Sequence, residues 1–221
     1  MTQNRTASKS SPRIAGADAP VGARAQRAAE RRDAILAAAL DEFAAQGFAA
    51  TRLDDVAKRA GVAKGTIYLY FADKETLFQE LIRTQLSPVV GGVIHASHAD
   101  LPLRLFAEQL IEVFVRDVLG TRRKDVIRLM ITEGQRFPKL AEFYYHEVIA
   151  KVMEAVRTLL RRAYERGELK TEALVKHPQL LAAPGIMSIV WGGLFERFEP
   201  LDVRSVMRAH FEILFGKENA P

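Results

Sequence analysis

Apolar residues recur three or four positions apart along most of the chain, which is the spacing of one face of an α-helix. In the first such segment Ile35, Ala39 and Phe43 share a stripe, and Gly47 is expected to end the helix. No stretch shows the alternation of apolar and polar residues that marks a half-buried strand. Further helices are predicted over residues 53–60, 64–70, 74–90, 102–119, 122–135, 138–166, 178–197 and 203–215. The sequence therefore predicts an all-α protein of about nine helices.

The lengths of the predicted helices divide the chain, because short helices precede residue 74 and long helices follow it. We expect a disordered basic arm over residues 1–27, a small helical domain over 28–74 and a larger one over 75–221. Gly91-Gly92 is expected to loosen the chain after the fourth helix. Pro184-Gly185 is expected to kink or interrupt the eighth helix, since proline removes a backbone donor.

The segment TRLDDVAKRAGVAKGTIYLYF, which begins at Thr51, predicts two short helices joined by a tight turn. Thr51 and Asp54 resemble a capping box at the start of the first helix. Gly61 permits the left-handed backbone that turns the chain, and Ile67 and Phe71, four residues apart, point from the second helix toward a core. This is the arrangement of a helix-turn-helix, in which the second helix enters the major groove of DNA.

The outward face of the second helix carries small and hydrogen-bonding side chains. Gly65 lets the helix come near a phosphate, Thr66 offers a hydroxyl and a methyl group, and Tyr68 and Tyr70 can donate to phosphate oxygens. The alternative is a helical hairpin inside some all-α core, with the tyrosines as packing residues. On spacing alone, both interpretations stay open.

The net charge becomes informative once it is located along the chain. The formal net charge is +5, and the first 32 residues hold seven basic groups against two acidic ones, so the remainder is balanced. A cationic arm on a neutral body is common in nucleic-acid-binding proteins, because it releases counterions from phosphates. The alternative is a disordered tail whose charge only aids solubility. Residues 33–86 contain six basic and eight acidic groups, so electrostatic attraction to DNA would depend on local placement and on the arm.

The stretch TRLDDVAKRAGVAKGTIYLYFADKETLF, with the preceding ILAAALDEFAAQGFAA, resembles the N-terminal DNA-binding domain of the tetracycline-repressor (TetR) family of bacterial transcriptional regulators. One departure is Ala63, where many relatives have a serine that caps the recognition helix. The resemblance implies phosphate contacts by Lys74 and by Thr51 or Arg52. It also implies a set of residues that face DNA: Lys64, Gly65, Thr66, Tyr68, Leu69 and Tyr70.

The long helices of the second half are strongly apolar, and such a bundle closes either around a core or around a cavity. The sequence does not separate these cases. The resemblance implies that the fifth to seventh helices enclose a small-molecule effector. The candidates for lining its site are Phe106, Leu110, Phe114, Arg128, Ile131, Phe143 and His146. Alternatively, each of these side chains only packs in the core, lies on the surface or lies between helices.

The last two predicted helices have wide apolar faces, and the resemblance implies that they pair with their two-fold mates in a homodimer. The alternative is that these faces are buried within one chain. A two-fold dimer would place two recognition helices in successive major grooves of a palindromic site. His95, His98 and Asp100 lie close in sequence, but the segment reads as a loop without a further ligand, so neither a metal nor another cofactor is expected.

Taken together, these features predict a ligand-responsive DNA-binding regulator: a repressor that binds a double-stranded operator as a dimer and is released by an effector. We expect a cytoplasmic protein without a membrane partner, because there are no cysteines and the longest apolar stretch, residues 182–195, is too short to span a bilayer. One rival is an all-α hydrolase using His146 and Glu147, but no phosphate-binding loop, nucleophile elbow or HExxH motif is present, so no enzyme is expected. A second rival is a helical protein-interaction module without DNA affinity.

Overall fold

The computed structural model describes residues 21–216, and this part of the chain is all-α, as predicted, with ten helices and no strand. The helices are α1 (Val21–Ala50), α2 (Leu53–Arg59), α3 (Lys64–Tyr68), α4 (Lys74–His98), α5 (Leu103–Val113, then π-helical Phe114–Leu119), α6 (Arg123–Glu133), α7 (Pro138–Tyr144, π-helical Tyr145–Ile149, Ala150–Glu165), α8 (Ala173–Lys176), α9 (Gln179–Leu194) and α10 (Val203–Phe215). The single turn of α8 is the helix that the sequence did not predict.

The first of two hydrophobic cores joins α1–α4 to α6 and α7. Its centre is aromatic: the ring centroids of Phe43 and Phe78 lie 5.1 Å apart at an interplanar angle of 90°, and those of Phe48 and Phe137 lie 4.6 Å apart. Edge-to-face pairs of this kind stabilise a core beyond their buried area. The short helices at the N-terminal end are therefore held against the larger half by a shared core.

The second core lies among α5, the second half of α7, α9 and α10, and is formed by residues such as Phe106, Leu159 and Phe211. Helix α4 contributes to both cores, with Phe78 and Leu81 in the first and Val93 in the second. Because its buried positions continue at helical spacing over its whole length, α4 connects the two halves of the molecule.

Three local expectations about α4 are wrong. The helix continues to His98 instead of ending at Val90, and Gly91-Gly92 lie inside it without loosening it. Burial of Val90 and Val93, three residues apart, keeps the helix in register across the glycines. His95 and His98 consequently lie in the last helical turn and not in a loop. Among residues 21–216, no cluster of three or more carboxylate or imidazole side chains is arranged to hold a metal ion.

The start of α1 and the effect of Pro184 on α9 also differ from the sequence prediction. Helix α1 begins at Val21, so Arg24 and Arg27 are helical and exposed, whereas the rest of the predicted arm, residues 1–20, lies outside the described residues. Helix α9 runs through Pro184 without interruption. Proline leaves the carbonyl four residues earlier without its helical donor. Here that carbonyl, Leu180 O, lies 2.7 Å from Nε2 of His210 on α10.

Within the described part of the chain, none of the helices combines the length and the apolar character that crossing a membrane requires.

Candidate DNA-binding surface and ligand cavity

The turn between α2 and α3 is built by Gly61, whose φ of +66° lies in the left-handed region that favours glycine. The N–H of Gly61 donates to Lys58 O at 3.2 Å, and the N–H of Val62 donates to Ala57 O at 3.0 Å. These bonds satisfy the last carbonyls of α2, as in a Schellman motif. Helix α3 begins at Lys64, so the turn places the two helices as a helix-turn-helix.

The capping box expected at the start of α2 is not formed. Thr51 is only 2% exposed, and its hydroxyl donates to Gly47 O at 2.8 Å, across the end of α1. Gly47 has a φ of +78° that breaks the helical geometry, so its carbonyl is available to a side chain. The residue that precedes α2 is Arg52, which makes no side-chain cap but is exposed. Of the two positions expected at a phosphate, Arg52 is the one with an accessible side chain.

Helix α3 buries one side and exposes the other. Ile67 is fully buried and Phe71 is 3% exposed, whereas Tyr68 is 48% exposed and Leu69 is 83% exposed. A Cβ added at Gly65 would meet no atom within 4 Å, so nothing in the protein fills the space in front of this glycine. The structure therefore brings small, apolar and hydroxyl-bearing groups together on an open face.

The remaining members of the expected DNA-facing set are less uniform. Lys64 is exposed and Thr66 is half-buried, while Tyr70 is half-buried and packs against the first core. Ala63 precedes α3 without a side-chain cap, so the serine cap of many relatives has no counterpart here. We call the surface formed by Lys64, Gly65, Thr66, Tyr68 and Leu69 the outward face of α3.

Charged groups at the border of this face are paired within the protein. Lys64 Nζ lies 2.8 Å from Asp54 Oδ2 on α2, and hydrogen bonding to that carboxylate raises the pKa of the lysine. Asp73 caps α4 by accepting from the N–H of Thr76 at 2.7 Å, which lowers the pKa of Asp73. A cleft of about 400 Å³ separates the starts of α2 and α4 from α3, and Arg52, Lys64 and Tyr68 are among its lining residues.

Lys74 makes contacts that the sequence did not predict. Its ammonium donates to Ala49 O at 2.8 Å, Phe48 O at 3.0 Å and Thr51 O at 3.4 Å, and lies 4.9 Å from the centroid of the Phe48 ring. A cation at the C-terminal end of a helix satisfies carbonyls that have no helical donor. Lys74 thus fastens the end of α1 to the start of α4, directly beside the helix-turn-helix.

A second site, an apolar cavity of about 170 Å³, lies in the larger half of the molecule. It is lined by α4, α5, α6, α7, α9 and α10, with contributions from both π-helical segments. Its lining residues are Val89, Val93, Leu110, Val113, Phe114, Val118, Ile127, Val148, Ile149, Val152, Met153, Val156, Pro178, Leu181, Ala182, Gly185, Ile186 and Met207.

Of the seven residues expected at an effector site, Leu110 and Phe114 line this cavity. The other five lie elsewhere. Phe106 is in the second core, Ile131 is 43% exposed, the Arg128 side chain rests against Gly193 of α9, Phe143 lies under the Arg83 guanidinium, and His146 is exposed beside Tyr145. The contributions of α4 and α9 were missed because they depend on which helices meet in space, which one helical stripe does not reveal.

Polar contacts connect the wall of the cavity with α1 and α4. Arg123 donates through Nη1 to Asp117 O of the π-helical segment at 2.8 Å and through Nε to Gln85 O of α4 at 2.7 Å. Next to it, Arg122 Nη1 donates to Asp41 of α1 at 2.7 Å. The start of α6 is therefore bonded at once to α5, α4 and α1.

The surface of α9 and the following turn is apolar. Seven large side chains there are more than a third exposed: Leu180, Ile186, Met187, Val190, Leu194, Phe195 and Phe198. A contiguous apolar patch on a globular protein usually marks an interaction surface.

A helix-turn-helix with an exposed second helix, joined by one long helix to an apolar cavity, defines a helix-turn-helix DNA-binding regulator with a separate ligand domain. Residues 35–81 match the family model described as bacterial regulatory proteins, tetR family, and residues 107–208 match the tetracyclin repressor-like C-terminal domain. The chain belongs to the TetR family of transcriptional regulators.

Individual relatives agree with this assignment. The chain is 30% identical over 201 residues to the HTH-type transcriptional regulator AcrR of Shigella flexneri, covering 86% of this chain and 89% of AcrR. It is 31% identical over 155 residues to the HTH-type transcriptional repressor BepR of Brucella suis, covering 66% of this chain and 71% of BepR. The SmeT–triclosan complex, of SmeT from Stenotrophomonas maltophilia, has the same fold: its TM-score is 0.71 at 19% identity, over 87% of this chain and 98% of SmeT.

Proposed function

We propose that this regulator is a repressor that binds a palindromic operator as a homodimer and leaves it when a small molecule fills the apolar cavity. The observation that carries the DNA-binding half of this proposal is the exposure of Tyr68 and Leu69 beside an unobstructed Gly65. The cavity among six helices supports the ligand-binding half. Two relatives support the proposal: BepR is named a repressor, which supports the DNA-binding half, and SmeT forms a complex with triclosan, which supports the ligand-binding half.

On DNA, the outward face of α3 is proposed to lie in the major groove. Thr66 and Leu69 would meet base edges and thymine methyl groups, while Tyr68, Arg52 and the backbone at Gly65 would meet phosphates. Binding would replace the Lys64–Asp54 pair by a Lys64–phosphate contact, because the lysine is exposed and the pair is a surface one. A mobility shift with the protein's own upstream DNA tests the proposal, and loss of the shift on adding an effector tests release. Such a regulator would act in the cytoplasm.

For the dimer, we propose that the last two helices, α9 and α10, pack against their two-fold mates, and that the apolar surface of α9 is part of this interface. Replacing Leu194, which is 60% exposed, by glutamate is expected to convert the dimer to monomer, because it would bury an unpaired charge at the interface. Sedimentation equilibrium measures the change. Tyr145→Glu on α7, at a residue 54% exposed, is the matched control and should stay dimeric. A Leu194→Glu protein that sediments like the wild type would place the dimer interface elsewhere.

For the effector response, we propose that α4 and α6 transmit the state of the cavity. Val89 and Val93 of α4 line the cavity, while the start of the same helix is fastened to the end of α1 by Lys74. Arg122 and Arg123 give α6 a second connection to α1 and α4. An effector that binds more tightly to a conformation whose recognition helices are wrongly spaced for DNA would then lower operator affinity. The size of the effect is the difference between the effector's binding free energies for the two conformations, typically about 1 to 3 kcal/mol.

Arg24 and Arg27 of the predicted basic arm, and the following Arg31, lie three and four residues apart on the exposed start of α1. Replacing all three by glutamine is expected to weaken operator binding. The slope of log affinity against log salt should also flatten, by about 0.9 for each phosphate that an arginine no longer neutralises. Arg161→Gln, on exposed α7 surface, is the control. An unchanged slope in the triple variant would exclude these arginines from the DNA interface.

A further inference from the structure

We infer that the effector is an uncharged, compact, apolar molecule of about one ring, and that Phe114, held against Gly185, sets its upper size. The inference rests on the proposed function, because it names the class of ligand for the same cavity. It follows from three observations: the chemistry of the lining, the volume of the cavity, and the contact between α5 and α9.

The lining offers a ligand no polar side chain. Every residue around the cavity is Val, Leu, Ile, Met, Phe, Pro, Ala or Gly. The hydroxyls of Ser188 and Ser205 each belong to a residue two positions from the lining, and both already donate within the protein, to Pro184 O at 2.7 Å and to Asp202 Oδ2 at 2.6 Å. Burying a charge without a partner costs far more than apolar contacts return, and an unpaired hydroxyl or amide also opposes binding. An acid, an amine or a phosphate ester is therefore excluded from the buried part of the ligand.

The volume of the cavity sets the size of the ligand. At about 170 Å³, it is close to that of the apolar cavities of about 150 Å³ that stay dry and take up benzene. A single ring or a branched alkane of similar volume would fill it. A ligand of two rings would need the wall to move.

One part of the cavity wall is the Phe114 ring, which packs against Gly185 of α9. A Cβ added at Gly185 would lie 3.1 Å from both Cε2 and Cζ of that ring, closer than ordinary van der Waals contact. Gly185 is thus required for the ring to sit where it does. Phe114 is also the first residue of the π-helical segment, whose last turn is bonded to Arg123. A ligand that displaces this ring would therefore also disturb Arg123, which bonds the π-helical segment to Gln85 O of α4.

The inference is tested on the full-length protein with three probes: toluene, benzoate and biphenyl. Titration calorimetry measures binding, and the mobility shift measures operator release separately. For the wild type, toluene is expected to bind at least tenfold more tightly than either benzoate or biphenyl. Phe114→Ala should bind biphenyl at least tenfold more tightly than the wild type does. Gly185→Ala should weaken toluene binding at least tenfold, because the added methyl group drives the ring into the cavity.

The control is Ile131→Ala, at an exposed position outside the cavity, which should bind all three probes as the wild type does. Any of three results would overturn the inference: benzoate binding comparable to that of toluene, no toluene binding, or unchanged biphenyl affinity in Phe114→Ala. The measurement on Phe114→Ala does not require Gly185→Ala to be stable. Toluene that binds with the expected selectivity but does not release the operator would leave this inference standing and would instead contradict the proposed effector response.

Discussion

Replacing Tyr68 by alanine is expected to weaken operator binding about a hundredfold or more at matched salt. The side chain is 48% exposed on the outward face of α3, so it contributes little to folding and is free to meet DNA. Loss of one good contact to DNA costs about 1 to 3 kcal/mol, and a two-fold dimer loses it twice. Fluorescence anisotropy with a labelled operator duplex measures the change.

The matched control is Tyr145→Ala, since Tyr145 is 54% exposed but lies in the π-helical segment of α7. Both variants should melt within a degree or two of the wild type, because exposed side chains away from special contacts change stability by about 0.5 kcal/mol or less. Full operator affinity in Tyr68→Ala would remove this face of α3 from the groove.

Replacing Lys74 by methionine is expected to lower the free energy of unfolding by about 2 to 4 kcal/mol, because carbonyls at the end of α1 lose a charged donor. The Lys74 ammonium donates to three carbonyl oxygens and lies over the Phe48 ring, so its partners are within the protein. Urea denaturation measures the loss. Operator affinity should fall as well, since the helix-turn-helix is no longer fixed to α4.

A phosphate contact and a positioning role for Lys74 are distinguished by salt. If the lysine positions the helix-turn-helix, the slope of log affinity against log salt stays that of the wild type, whereas a phosphate contact would reduce it by about 0.9 per protomer. Lys139→Met, at an exposed lysine of α7, controls for the loss of charge. A normal urea midpoint together with a flattened slope would assign Lys74 to DNA and not to the fold.

The helix-turn-helix was predictable from the sequence because its determinants are local. Gly61 sets the turn whatever surrounds it, and Ile67 and Phe71 determine which side of α3 is buried. The cap at Thr51 was not predictable, because it depends on the backbone angle of Gly47 in the preceding helix. Sequence spacing alone allows the threonine two partners, and the expected one, in a capping box, is wrong.

The cavity was less accessible to sequence reasoning, for a physical reason. Leu110 and Phe114 share a helical stripe, which suggested their position, but a cavity is defined by the helices that fail to fill the space between them. The contact of Phe114 with Gly185 joins residues far apart in sequence, and Phe114 begins a π-helical turn that the sequence pattern did not predict. The predicted end of α4, before Gly91-Gly92, is too early and hid Val93 from the set of candidates.

The most direct test of the outward face of α3 is a specificity ratio. The dissociation constant for a duplex enriched from a random pool is compared with that for a scrambled duplex of equal length, at one salt concentration. For the wild type the scrambled duplex should bind about a thousandfold or more weakly. With Thr66, Tyr68 and Leu69 all replaced by alanine, the two constants should converge while the weak, non-specific binding remains; a triple variant that keeps the wild-type ratio would show that other residues read the DNA.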